Sequence, residues 1–359
     1  MSKKIHTITF LFILFFFPLM SLISNDKLID EYERRYLKQF SEIQTENFTD
    51  EIETYLSDQF PFRYNLRQLK GFFNYNIFNR LENQDVVIQD NSAIKIDLDY
   101  NYDNVKVTVD KLMKLRSKLF KTNKCYFALI PDKNCYYENN TVAVDYNKVY
   151  EILRKNVPGV LTINTFDKLT LSDYYKTDSH WSQENIVDIS NLILEKMKHE
   201  IKDINYTENK IEGFNGVYVG QSALPLKPDT ITYLTTPNLQ NATVTNYEAN
   251  KTTSIYDLNK LEDEKSLDNY DIFLSGPCPL LKINNPAQTN GKTLILFRDS
   301  YGSSIAPLFV EYYTDIYVVD LRYMDSTYIE KYIDITPDMD VLFLYSTTLL
   351  EIPNNFKIN

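Results

Sequence analysis

An α/β fold, with a mostly parallel sheet covered by helices and an antiparallel insertion, is what this sequence predicts, and three observations predict it. Apolar runs of strand length alternate with amphipathic stretches of helical length from about Val105 to Ile163. The same alternation resumes from Thr293 to Tyr345. Between them, residues 221–290 are rich in Thr, Asn and Pro and carry only short β-prone runs such as Thr230 to Leu234, which suits an antiparallel insertion or lid. Hydrophobic residues at 43% and charged residues at 24% are enough for burial to offset chain entropy, so the chain is globular.

In chain order the first element is a leader. Lys3 and Lys4 precede a nearly unbroken apolar run from Ile8 to Ile23, after which the chain turns polar at Asn25, Asp26 and Lys27. A basic start ahead of such a run is an export signal, and its length of about 16 to 18 residues sits at the short limit for spanning a bilayer. No A-x-A-like pair precedes a plausible cut, so residues 1–24 are expected to stay as a signal anchor, with a cleaved signal peptide as the alternative. Either way the rest of the chain lies outside the cytoplasm, anchored to the membrane or secreted.

Residues 25–95 are expected to form a helical stalk packed on the main domain. Leu28, Ile29, Tyr32, Tyr36 and Phe40 fall at spacings of three and four, and a second amphipathic stretch runs from Tyr64 to Phe78. Pro61 breaks the helix between them. Residues 96–359 are the main domain, with the insertion at 221–290. Its expected elements are a helix from Val105 to Phe120, a strand from Cys125 to Ile130, a helix from Asn147 to Lys155 and a strand from Val160 to Ile163. After the insertion come a strand from Thr293 to Phe297, a helix from Tyr301 to Tyr313, and strands from Asp315 to Asp320 and Val341 to Tyr345.

Composition removes several functions. With 38 Lys and Arg against 49 Asp and Glu the net charge is −11, which argues against a nucleic-acid partner. Eight glycines form neither a G-x-G-x-x-G nor a P-loop, so a glycine cradle for nucleotide phosphates is missing. Three histidines and three cysteines without a C-x-x-C pair are too few for a zinc site, and no metal or cofactor is expected. The fold does not depend on a disulfide framework, although a Cys125 to Cys135 bridge stays open.

One constellation carries chemistry. His180 lies beside the only tryptophan, Trp181, in a segment that leads into an amphipathic helix marked by Ile186, Ile189, Ile193 and Met197. Ser182 is the expected N-cap of that helix, and Trp181 the residue that packs on Ile186. Asp178, two residues before His180, can take one imidazole nitrogen and leave the other free to act as a base. A structural hydrogen bond is the competing reading of that pair. His199, at the charged end of the same helix, reads as a solvated residue, and His6 lies in the leader, so the exported part has one histidine for catalysis. The strand ending in Arg298-Asp299-Ser300 runs directly into a helical segment, which sets Ser300 at a strand-to-helix turn with backbone N–H groups nearby. That is a nucleophile's position, or that of a simple N-cap.

Thr177-Asp178-Ser179-His180-Trp181 together with Asp299-Ser300-Tyr301 resembles the DHHW family of exported bacterial proteins, which is similar to the periplasmic alginate O-acetyltransferases of the SGNH hydrolase-like group. The resemblance extends to Asp58-Gln59-Phe60-Pro61-Phe62-Arg63, Ile130-Pro131-Asp132-Lys133, Phe214-Asn215-Gly216, the segment from Tyr270 to Gly276, and Val341 to Thr347. It implies a three-layer α/β/α sandwich with Ser300 as nucleophile, His180 as base and Asp178 as the orienting acid. It also implies acetyl transfer onto an exported polysaccharide, with a multi-pass membrane acyltransferase supplying the acetyl group. Two positions depart from the family pattern, where Ser179 replaces the first histidine and Arg298 the glycine ahead of Asp-Ser. Tyr301, Arg298, Gly216 and Gly276 are the candidates for holding substrate or oxyanion. The competing functions are a carbohydrate esterase using the same residues with water, and a non-catalytic polysaccharide-binding or scaffold protein whose many Tyr and Phe side chains stack on sugars.

Overall fold

A strand that is apolar on both faces has to be covered on both faces, and Lys124–Ile130 (β1) is such a strand, with only Lys124 exposed. In the computed structural model, which describes residues 2–30, 32–44, 46–78, 80, 82–138, 144–263 and 266–359, both covers are present. Cys125, Phe127 and Leu129 face the helices Tyr102–Leu119 and Asn-capped at Asn101, and Tyr146–Asn156, through Val109, Leu112, Val149 and Leu153. Tyr126, Ala128 and Ile130 face the helix Val187–Lys196 through Ile189, Ile193 and Leu194. The result is a three-layer α/β/α sandwich.

Among the described residues the sheet has eight strands. After β1 come Leu161–Asn164 (β2), Thr243–Asn246 (β3), Lys251–Ser254 (β4), Leu280–Asn284 (β5), Thr293–Arg298 (β6), Asp315–Val319 (β7) and Asp340–Ser346 (β8). Their spatial order is β4-β3-β5-β7-β6-β8-β1-β2. Strands β7, β6, β8, β1 and β2 are parallel to one another, with Leu296 of β6 opposite Val318 of β7 and Leu342 of β8. The carboxyl ends of these strands therefore share one edge, where open α/β sheets assemble their sites.

Residues 221–290 are less separate than their composition predicts. Strands β3, β4 and β5 are antiparallel, as expected, but they extend the main sheet beyond β7. The run from Thr230 to Leu234 belongs to a different pair, Asp229–Thr235 against Thr207–Phe214. The helix expected from Tyr301 to Tyr313 is also shorter. It spans Tyr301–Ile305 and passes into a 3-10 turn at Ala306–Phe309, since Pro307 has no N–H to continue the α pattern. The three cysteines are free, so no Cys125 to Cys135 bridge forms.

Ahead of the sandwich, the helix Ser2–Ile23 (α1) includes a 19-residue stretch, Lys3–Ser21, with mean hydropathy 1.7 and none of it buried. It is long and apolar enough to cross a membrane or to serve as a signal peptide. Among the described residues from Leu28 to Gln39 none is helical, and a 3-10 turn begins only at Phe40. Ile29–Asp30 pairs with Arg35–Tyr36 in a short antiparallel hairpin, because the charged residues interleaved with the apolar ones find ionic partners on the next two helices. Those are Phe48–Asp58 (α2) and Arg63–Asn76 (α3), broken at Pro61 as predicted.

The hairpin rests on the short helix Val217–Ser222, where a Cβ added to Gly220 would lie 1.6 Å from the Tyr32 carbonyl oxygen. Gly220→Ala should therefore cost about 1–3 kcal/mol through overpacking. Urea denaturation is expected to show the loss, and limited proteolysis should then cut the segment from 25 to 45 faster than in the wild type.

Candidate active site

Asp299 decides how Ser300 is presented. At the end of β6 its carboxylate accepts the N–H of Tyr301 at 3.1 Å and that of Ser346, at the end of β8, at 2.8 Å. The first helical turn is thereby capped by Asp299, and Ser300 makes no side-chain capping bond. Its half-buried hydroxyl is left for another partner, which is His180: Nε2 lies 2.7 Å from Ser300 Oγ. On the other side of the ring, Nδ1 lies 2.6 Å from Asp178 Oδ1, which also accepts the His180 backbone N–H at 3.0 Å. Asp178, His180 and Ser300 thus form one hydrogen-bonded line, with Asp178 fully buried.

The loop carrying Asp178 and His180 is tied on every side. Asp229 accepts the N–H groups of Lys176 and Thr177 at 3.0 and 2.7 Å, and the Thr177 hydroxyl at 2.5 Å. Buried Lys133, after β1, donates to the carbonyls of Tyr175, Lys176 and Asp178 at 2.8, 3.2 and 3.2 Å. The indole N–H of Trp181 reaches Ser304 Oγ at 2.9 Å, and the Tyr301 hydroxyl donates to the Ser179 carbonyl at 2.7 Å. These two bonds join the histidine loop to the helix that follows Ser300. Trp181 also packs in one core cluster with Ile186, as predicted, but Ser182 caps only a 3-10 turn and makes no capping bond; the helix begins at Val187.

The imidazole plane is fixed by Tyr270, whose ring stacks on it at 4.1 Å between centroids and 8° between planes. The Tyr270 hydroxyl donates to Ser304 Oγ at 2.8 Å. Around Asp178 the charges are paired. Val217 donates its N–H to Oδ2 at 2.8 Å, and Arg34, from the hairpin turn, stands 3.5 Å from the same oxygen. Burial raises the Asp178 pKa, but the charge and hydrogen bond of His180, then Arg34 and the Val217 N–H, outweigh it and hold the carboxyl well below the usual range.

The candidate substrate and oxyanion residues have other duties here. Arg298 is 1% exposed and runs beneath the turn toward Asp320, 3.4 Å away. Its stem occupies the space beside Gly302, where an added Cβ would lie 2.4 Å from Arg298 Cβ. Gly216 donates its N–H to the Thr177 hydroxyl at 2.8 Å, and it is glycine because a Cβ there would lie 2.3 Å from the Thr177 carbonyl. Gly276, at φ +84°, makes a turn against the Asp271 carboxylate, and the Tyr301 N–H is taken by Asp299. His199 is not solvated: its side chain is 5% exposed, and Nε2 lies 2.7 Å from the Tyr313 hydroxyl. The chain reverses at Lys198, φ +68°, and turns the ring inward. Arg34 and Asp229 are the site residues that sequence patterns did not single out, while Lys133 and Tyr270 lie in the motifs Ile130 to Lys133 and Tyr270 to Gly276 without a role read for them there.

A model of the DHHW protein family matches residues 134–319, which include the histidine loop and Ser300. The chain belongs to the DHHW family. Its structure is similar to that of a DHHW family protein from Eubacterium siraeum, at 24% identity and TM-score 0.64 over 77% of this chain and 95% of that one. It is also similar to Bacillus cereus PatB1 solved with a sulfonyl adduct, at 19% identity and TM-score 0.58 over 74% and 95% of the two chains. A weaker likeness, at 12% identity and TM-score 0.42 over 74% and 92%, is to the O-acetyltransferase domain of Pseudomonas putida AlgJ. No curated protein sequence matches the chain.

Burial pushes the Lys133 ammonium down to about 7, against the pull of Asp178 and Asp229. Its folded value thus lies below the ordinary 10.5, so between those values the unfolded chain binds the extra proton and stability rises with pH. That stability is lost as pH falls through about 7. Denaturation curves of the wild type and Lys133→Met across this range should show the rise in the former and its absence in the latter. The variant should also lose about 1–3 kcal/mol at neutral pH, because buried carbonyls are left unpaired.

Proposed function

We propose that this protein is an exported serine-dependent O-acetyltransferase that acts on a cell-surface or secreted polysaccharide through an acetyl-serine intermediate. The observation that carries the reading is the line from Asp178 through His180 to Ser300, with contacts of 2.6 and 2.7 Å. A serine hydroxyl has no strong nucleophilicity of its own and needs a base in contact with it, and that base needs a partner to fix its tautomer. PatB1, solved with a sulfonyl adduct, fits a fold that supports an activated nucleophile. The polysaccharide and the acetyl group come from the resemblance to the exported acetyltransferases, and α1 suits a chain held at the outer face of a membrane, beside an acyltransferase that brings acetyl across.

In the proposed reaction, His180 Nε2 takes the Ser300 proton as Oγ attacks the acetyl carbonyl of the donor. The donor's leaving oxygen departs with that proton, and Ser300 carries the acetyl group. A sugar hydroxyl then gives its proton to His180 and attacks the acetyl carbon, and Ser300 Oγ leaves with the proton. Asp178 keeps Nδ1 protonated throughout and stabilises the imidazolium that forms in each half. Water in place of the sugar would make the protein an esterase.

Incubated with an activated acetyl ester, the folded chain should gain a single acetyl adduct by intact mass, absent from Ser300→Ala. Turnover should fall by about 10³-fold or more in that variant. Adding polysaccharide should discharge the adduct faster than water does. Retention of full activity by Ser300→Ala would remove the serine mechanism, and discharge by water alone would make the protein an esterase.

A further inference from the structure

The Asp58 to Arg63 motif lies outside the triad, yet its contacts lead back to it. Asp58 accepts Arg35 at 2.5 and 2.9 Å, and Arg63 pairs with Asp30 at 3.2 Å and with Glu33 at 2.7 Å. Arg67 also pairs with Glu33. The residues on both sides of Arg34 are thereby clamped by ion pairs, while Arg34 itself, at φ +52°, points away from the clamp and into the site. A non-glycine residue held in the left-handed region is strained, so the surroundings over-determine this conformation.

Inside the site, the Arg34 guanidinium joins three groups. It pairs with Asp268, donates to the Asn215 carbonyl at 2.6 Å and faces Asp178 Oδ2 at 3.5 Å. Its side chain is 10% exposed, against 0% for Asp178 and 25% for Asp268. Asp268 in turn accepts the N–H of Tyr270 at 2.9 Å, and Tyr270 is the ring stacked on His180. One planar cation therefore connects the carboxylate at the edge of the imidazole with the turn that covers its face, a task suited to a guanidinium and not to an ammonium.

We propose that Arg34, carried by the hairpin that follows α1, is a positioning residue that completes the Ser300, His180 and Asp178 site by separating Asp178 from Asp268 and fixing Tyr270 over the imidazole. The inference rests on the proposed serine mechanism and adds that the segment between α1 and the sandwich is part of the catalytic unit. The charged groups facing this cluster are His180, Arg34, Asp178, Asp268, Asp271, Asp229, Lys133 and Lys260. Of these, burial and the Asp178 charge already push Asp268 up. Without Arg34, Asp178 and Asp268 would face each other with no cation between them, and the cluster would hold a proton to higher pH.

The experiment is the rate of Ser300 acetylation by an activated acetyl ester as a function of pH, on the full chain in detergent. Arg34→Ala should acetylate at least ten-fold more slowly at neutral pH, and the acid limb of its profile should move up by about one pH unit. Arg34→Lys should restore the limb but not the full rate, because it returns the charge without the fork. Asp268→Asn should move the limb downward, since Arg34 then serves Asp178 alone, and this variant carries the test if Arg34→Ala does not fold. A wild-type limb in both Arg34→Ala and Asp268→Asn, or in Asp268→Asn alone when Arg34→Ala is unfolded, would overturn the proposal. Failure of the wild-type chain to acetylate would instead overturn the serine mechanism on which it rests.

Discussion

The buried carboxylate of Asp178 is the constraint around which the rest of this site is arranged. An ionised carboxylate removed from water costs several kcal/mol unless donors and opposite charge replace its hydration. His180 supplies both a ring N–H and a backbone N–H, Val217 supplies another N–H, and Arg34 supplies charge. Each of these contacts dictates a piece of fold. Val217 reaches Asp178 only because Gly216 has no Cβ to strike Thr177, and Arg34 reaches it only because the hairpin is seated on Gly220.

The parallel sheet sets the remaining geometry. Because β1, β6 and β8 run side by side in one direction, their carboxyl ends bring Lys133, Ser300 and Ser346 to one edge. Asp299 uses that register twice, capping the helix after Ser300 and receiving the N–H of Ser346. The serine hydroxyl is consequently spared a structural task and is held against His180. Trp181 and Tyr301 bridge the same two segments, so the distance between the His180 imidazole and the Ser300 hydroxyl is set by packing on both sides.

Much of this was legible in the sequence, and the parts that were not share a cause. The central strands declare themselves because burial on both faces demands unbroken apolar runs such as Leu294 to Phe297. Ser300, His180 and Asp178 were legible because histidine is so scarce and because a strand-to-helix turn is a recognisable place for a serine. Arg34 is 144 residues from Asp178, and local spacing holds no trace of a contact over that range. The hairpin from Ile29 to Tyr36 imitates helical periodicity in its apolar residues, while the charges of Asp30, Glu33 and Arg35 between them answer to α2 and α3. Outer strands β3 and β4 are rich in Thr and bury only Val244 between them, so they lack the apolar signal of the centre. Arg298 reads as a substrate or oxyanion candidate in place of the family's glycine, but burial against Asp320 takes its side chain beneath the helix.

Covalent trapping tests the central claim most directly, namely that His180 activates Ser300. Treatment with a sulfonyl fluoride followed by peptide mass mapping should give one adduct, on the peptide that bears Ser300, and that labelling should be lost in His180→Ala. Labelling at another residue, or labelling of Ser300 that persists undiminished in folded His180→Ala, would contradict the account.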